Sequence, residues 1–141
     1  MMTNDIATRL YFAAIHLIRR LRQEDAGLGL SPAQLSAIST LVSKGEMTLS
    51  QFANAEGVRP PTITRLVQRL EADGYVVREE SPTDGRVTTV RHTTKAWKTL
   101  EKGASRRAAA LREAMASLSD RDQKALERAV ALMERLTGSP L

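Results

Sequence analysis

Residues 47–86 read MTLSQFANAEGVRPPTITRLVQRLEADGYVVREESPTDGR, and this stretch decides the fold. Thr48-Leu49-Ser50-Gln51 is a helix start: the threonine hydroxyl can accept the amide three residues on, and the glutamine can reach back. Met47 and Phe52 are placed as a hydrophobic staple, and Gly57 stops the helix within about three turns. Pro60-Pro61 opens a second helix that runs through about Asp73. At about 100° per residue, Leu66, Val67 and Leu70 lie within about 60° of Ile63. The opposite face carries Pro61, Thr62, Arg65, Gln68 and Arg69. Gly74 closes this helix, and from Tyr75 the apolar period becomes two. Tyr75–Glu80 and Arg86–Arg91 are rich in β-branched residues and bracket Ser81-Pro82-Thr83-Asp84-Gly85, which predicts a β-hairpin.

Upstream, Ser31-Pro32-Ala33-Gln34 repeats the start signal, with Leu30 and Leu35 as staple; Leu35, Ile38, Leu41 and Val42 face a core, and Gly45 is placed for a left-handed cap. Before it, Asn4 to Glu24 reads as one helix ended by Gly27-Leu28-Gly29. Ile6, Leu10, Ala13, Ala14, Leu17 and Leu21 share a face, and Tyr11, Ile15 and Ile18 widen it. An apolar arc that wide packs on two sides, either as a central core helix or against a partner subunit, and the small size of the chain favours the partner. Downstream, 94–117 and 119–137 read as two helices, with Ser119 as N-cap and Asp122 completing a box. The expected fold is mainly α with a small β-hairpin (α+β), in the order helix, helix, short helix, helix, hairpin, two helices.

A short helix, a tight turn and a second amphipathic helix form a helix-turn-helix, whose second helix sets N-terminal side chains against base edges in the major groove. Here those are Pro61, Thr62, Thr64, Arg65 and Gln68. Arginine can pair with guanine in bidentate fashion and glutamine with adenine, and threonine can use its methyl or hydroxyl group. Arg59, Arg69 and the helix starts at Ser31 and Thr48 suit phosphate contacts, which position without specifying. A solvated helix face would account for Arg65 and Arg69 alone; the hairpin that follows outweighs it. Its tip, Asp84-Gly85-Arg86, can place a cation in a narrow minor groove, with Asp84 orienting the guanidinium.

The chain resembles the MarR family of regulators. The resemblance lies in LSPAQLSAISTL (30–41), MTLSQFANAEGVRPPTITRLVQRLEADGYVVRE (47–79), DGR (84–86) and TTKA (93–96), and most specifically in TITRLVQRLEADGYV followed by SPTDGR. It implies one winged helix-turn-helix domain over 1–141, with a core at 30–95 and dimerisation helices at 1–29 and 96–141. The family's wing Asp and Arg fall on Asp84 and Arg86, and its recognition-helix segment on residues 60–72. The implied protein is a homodimeric transcriptional regulator, expected to repress, that binds double-stranded DNA at a palindromic operator and is released by a small, often aromatic, ligand. Tyr11, Phe12, Ile15 and His16 are the candidates to line a ligand cleft; the plainer reading makes the first three interface core and His16 a surface or interface histidine. Two departures stand out: Ala96 where many members have glycine, and the Pro60-Pro61 pair, which bears on the entry angle of the recognition helix.

Composition narrows the classes. Lys and Arg outnumber Asp and Glu by 21 to 16, a balance that favours polyanions, although no segment is a basic block. Cysteine is absent, which removes disulfides, thiolate metal sites, thiol redox sensing and cysteine nucleophiles. His16 and His92 stand far apart, with no glycine-rich phosphate loop and no Ser-His-acid spacing, so neither an enzyme nor a metal or cofactor site is expected. No run of about 18 apolar residues reads as a membrane span. Met1 to Asp5 shows no basic cluster leading into an apolar stretch, so no secretory signal is expected and a cytoplasmic protein is.

Overall fold

Both capping boxes form in the computed structural model, which describes residues 4–138. The outermost parts of the N-terminal and C-terminal segments expected to serve dimerisation (1–3 and 139–141) lie outside the described residues. Two compact units result, residues 1–106 and 107–141, the division falling within one long helix.

In the first unit, α1 (Ile6–Leu21) starts on Asp5, whose carboxylate accepts the Ala7 and Thr8 amides at 2.9 and 3.1 Å. It ends earlier than the sequence predicts, because Arg22–Leu28 tightens into a 3-10 segment. It buries no residue fully, so it is not the central helix of a core. The α2 helix (Pro32–Lys44) and α3 (Leu49–Glu56) each begin with a reciprocal pair: Ser31 with Gln34 at 3.1 and 2.9 Å, and Thr48 with Gln51 at 3.1 and 3.0 Å. Four orphan amides are thereby satisfied by side chains.

Gly57 ends α3 in the left-handed helical region. Gly45 does not adopt that cap. Its φ of 86° comes with a ψ of −172°, an extended left-handed conformation that only glycine occupies without strain. It throws the chain into β1 (Met47–Thr48), a strand too short to show alternation in the sequence. The α4 helix (Pro60–Ala72) leads through Gly74 to β2 (Val76–Glu80) and β3 (Thr88–His92). The sheet is antiparallel with order β1-β3-β2: Met47 faces Val90 on one side of β3, and Arg78 faces Val90 on the other. Because β3 starts at Thr88, Arg86 belongs to the connecting loop and not to a strand. The core joins Ala37, Ile38 and Leu41 to Phe52, Ile63, Val67, Leu70 and Val90, all essentially without solvent contact. Ala96 is also fully buried there, so its methyl group fits this core.

The α5 helix (Thr94–Met115) and α6 (Asp120–Thr137) complete the chain. The Ser119 hydroxyl accepts the Asp122 amide at 3.1 Å, a single cap bond in place of the predicted box. Within the second unit α6 has no buried residue, and Leu132 and Leu136 are 55% and 77% exposed. Among the described residues no helix is long and apolar enough to cross a membrane.

Candidate nucleic-acid interface

The exposed face of α4 is built by its buried one. Ile63, Val67 and Leu70 are buried in the core, with α4 packed against α3 and β2, which leaves Pro61, Thr62, Arg65, Gln68 and Arg69 in solvent. Pro60 and Pro61 have no amide hydrogens, and the Thr62 and Ile63 amides both donate to the Arg59 carbonyl, at 3.0 and 3.1 Å. The α4 N-terminus therefore has few free N–H groups to offer an anion, and recognition there falls to side chains. Arg59, Arg65 and Gln68 have no side-chain hydrogen bond or ion pair among the described residues, so their polar ends are available to a ligand.

Two of the expected contact residues are otherwise engaged. Thr64 is half-buried and its hydroxyl donates to the Pro60 carbonyl at 2.9 Å. Arg69 pairs with Asp73 one turn on, Nε to Oδ2 at 3.2 Å, while its side chain stays 73% exposed. That pairing was legible as an i,i+4 couple.

The loop between β2 and β3 is internally bonded. Ser81 N–H donates to Val87 O at 2.8 Å, Val87 N–H to Asp84 O at 3.0 Å, and the Ser81 hydroxyl accepts the Thr83 and Asp84 amides. The Asp84 carboxylate accepts the Arg86 backbone amide at 3.1 Å, but the Arg86 Nε lies 3.9 Å away, beyond a hydrogen bond. Asp84 thus shapes the loop backbone more than it holds the guanidinium, and the Arg86 side chain is 97% exposed.

Further groups join helix to hairpin. The Glu71 carboxylate accepts three bonds from Arg78: Nη2 at 2.9 Å and Nε at 3.1 Å on Oε1, and the backbone amide at 3.3 Å on Oε2. These bonds hold the Glu71 carboxyl below the usual carboxylate range and raise the Arg78 guanidinium. Lys95 donates to the Asp73 carbonyl at the end of α4 and lies over the Tyr75 ring, 4.5 Å from its centroid. Thr93 donates its hydroxyl to Gly74 O at 2.7 Å. The Glu71–Arg78 pair escapes a periodicity reading because the partners sit seven residues apart across a turn.

The four α1 residues considered for a ligand cleft divide. Tyr11 and His16 are exposed, and Phe12 and Ile15 are half-buried. The Tyr11 and Phe12 rings meet edge to face at 5.3 Å. A cavity of about 400 Å³ opens further along, between the 3-10 segment and α2, lined by Arg22, Asp25, Leu30, Leu35 and Ser39 among others; none of the four lines it. Nearby, Ser36 donates to Glu56 Oε2 at 2.9 Å, tying α2 to α3 and leaving Oε1 buried without a partner.

A trihelical core whose third helix, α4, is exposed and basic, followed by a three-stranded hairpin sheet, defines a winged helix-turn-helix protein of the transcriptional-regulator class. Residues 30–88 match the model of the MarR family. The chain is 34% identical over 128 residues to the HTH-type transcriptional regulator Mb0904 of Mycobacterium bovis, covering 91% of this chain and 90% of that one. It is 42% identical over 81 residues to the HTH-type transcriptional regulator ML2140 of Mycobacterium leprae, 57% of each chain, so it spans little more than half the length of that relative. Among solved structures, transcriptional regulator Tm0710 of Thermotoga maritima superposes with a TM-score of 0.76 at 26% identity, over 93% of this chain and 95% of that one. This chain belongs to the MarR family of helix-turn-helix transcriptional regulators.

Proposed function

We propose that the protein is a homodimeric repressor that binds a palindromic operator, reading the major groove with α4 and the flanking minor groove with the β2–β3 loop. The observation that carries this reading is the presence of two exposed cationic groups on one unit: Arg65 with Gln68 beside it on the exposed face of α4, and Arg86 at the loop tip, 97% exposed and 3.9 Å from Asp84. Pro61 and Thr62 add apolar and hydroxyl contacts, Arg59 and Arg69 meet phosphates, Thr64 contributes its methyl group, and Asp84 keeps the loop in shape. Residues 30–95 serve as the DNA-binding core of one domain, and 1–29 with 96–141 serve dimerisation in the cytoplasm.

The dimer reading is supported by apolar side chains left in solvent. On α1, Ile6 is 83% exposed and Tyr11 and Ile18 are more than half exposed; on α6, Leu132, Met133 and Leu136 are exposed. Such surface is uncommon on a monomer and fits an interface between copies. Release by a small molecule is supported by the cavity beside α2, whose volume falls in the range that small ligands occupy.

Selection of bound DNA from a random pool tests the reading. The full-length protein should enrich inverted repeats whose half-site centres lie about 10 base pairs apart, or a multiple of that. Recovery of unrelated sequences, or of single half-sites alone, would overturn the symmetric-operator reading.

A further inference from the structure

We propose that Glu71 is a positioning residue for DNA binding: by holding Arg78 it sets the angle of the β2–β3 wing to α4, and so the distance between the two grooves the protein contacts. This rests on the reading that Arg86 enters DNA.

The root of the wing is anchored in several places. Tyr75 N–H donates to Leu70 O at 2.8 Å, Thr93 N–H to Tyr75 O at 3.0 Å, and Thr93 and Lys95 bond the Gly74 and Asp73 carbonyls. All of these act at or before the first residue of β2. The pairing of β1 with Val90 and Thr89 holds the sheet at the level of Arg78 through β3; the Glu71–Arg78 contact differs in gripping β2 itself, at its third residue, from the last turn of α4. It includes the Arg78 backbone amide, so it fixes the strand itself and not only a side chain.

Leverage gives this contact its weight. A strand rises about 3.3 Å per residue, so the loop tip lies on the order of 15 Å beyond Arg78, and a swing of about 10° there would move Arg86 by about 2–3 Å. That exceeds the tolerance of a hydrogen bond. Both side chains are about one-third exposed, 34% for Arg78 and 37% for Glu71, and ion pairs so placed add little to global stability. A contact that contributes little to folding yet makes three bonds between the two DNA-facing elements serves their relative geometry.

A double-mutant cycle on operator binding tests this, using full-length protein and the selected operator. Arg86→Ala should weaken binding about tenfold in the native background. In the Glu71→Ala background, where the wing is already displaced, the same change should cost less than about twofold, since coupled sites depart from additivity. Glu71→Ala alone should keep major-groove guanine protection and lose the outer minor-groove protection, with an unaltered thermal transition. Equal losses from Arg86→Ala in both backgrounds would overturn the positioning role while leaving the wing in the interface. If Arg86→Ala costs nothing even in the native background, the wing reading itself falls, and the positioning role falls with it. Should Glu71→Ala fail to show a cooperative transition, the same cycle is run with Glu71→Gln, which keeps the side-chain shape but cannot accept at both positions.

Discussion

The Asp84 carboxylate lies 3.1 Å from the backbone nitrogen of Arg86 and 3.9 Å from the guanidinium Nε of the same residue. Its stronger hold is on the chain and not on the charge. An asparagine at 84 keeps an acceptor for that amide, whereas an alanine does not. Asp84→Asn should therefore bind operator with only a small loss, and Asp84→Ala should approach the loss of Arg86→Ala. All three should stay within about 0.5 kcal/mol of native stability, as exposed positions usually do. Fluorescence anisotropy on labelled operator, beside thermal melts, checks the order; equal losses from Asp84→Asn and Asp84→Ala would show that the charge matters most.

On α4 the two arginines should behave differently. Among the described residues Arg65 has no side-chain hydrogen bond or ion pair, whereas Arg69 is tethered to Asp73. Arg65→Ala should cost about 1–3 kcal/mol and relax preference at particular base pairs. Arg69→Ala should weaken all sequences more evenly and lower the slope of log affinity against log salt by about one. Salt titrations on operator and scrambled duplexes separate the two; unchanged affinity for both folded variants would take this helix out of the interface.

Assembly should depend on apolar residues that are mostly exposed in the isolated chain. Leu132 and Leu136 are exposed at 55% and 77%, so Leu132→Glu with Leu136→Glu removes little packing. The double variant should sediment as a folded monomer at micromolar concentration, where the native protein sediments as a dimer. A native protein that is monomeric under those conditions would contradict the dimer reading.

The two turn glycines of the helical core should respond unequally. Neither has an atom within 4 Å of where a Cβ would stand, so the cost of alanine is one of backbone conformation alone. Gly57 sits in the left-handed helical region, where alanine costs about 1–2 kcal/mol. Gly45 sits where only glycine is at ease, and Gly45→Ala should cost about 1–3 kcal/mol, the larger of the two. Urea midpoints give the order.

Acid sensitivity should trace in part to Glu71. Its folded-state pKa is lowered from the ordinary value of 4.5, first by the side-chain hydrogen bond from Arg78. The folded state therefore releases this proton more readily than the unfolded one. The contribution to stability is complete above the ordinary value and is lost as pH falls through the lowered one. Glu71→Gln should flatten the acid limb of stability against pH slightly, given how exposed the pair is, and leave the limb above neutrality unchanged.

Much of this was readable from the chain. The capping boxes at Ser31 and Thr48, the stops at Gly57 and Gly74, and the aliphatic face of α4 are local patterns, because a helix start or an apolar stripe depends on residues within a few positions of each other. The identities on the outer face of α4 follow from the same period. Tertiary structure alone decided the rest. Met47–Thr48 becomes a strand only because β3 arrives beside it some forty residues later, and no two-residue segment can announce that. Thr64 turns its hydroxyl to Pro60, and Glu71 finds Arg78, through directions that residue type does not reveal. Whether the wide apolar arc of α1 was core or surface was likewise open until the packing of α2, α3 and α4 was seen to close without it. Hydrophobicity states that a side chain must be covered, and only the three-dimensional arrangement states by what.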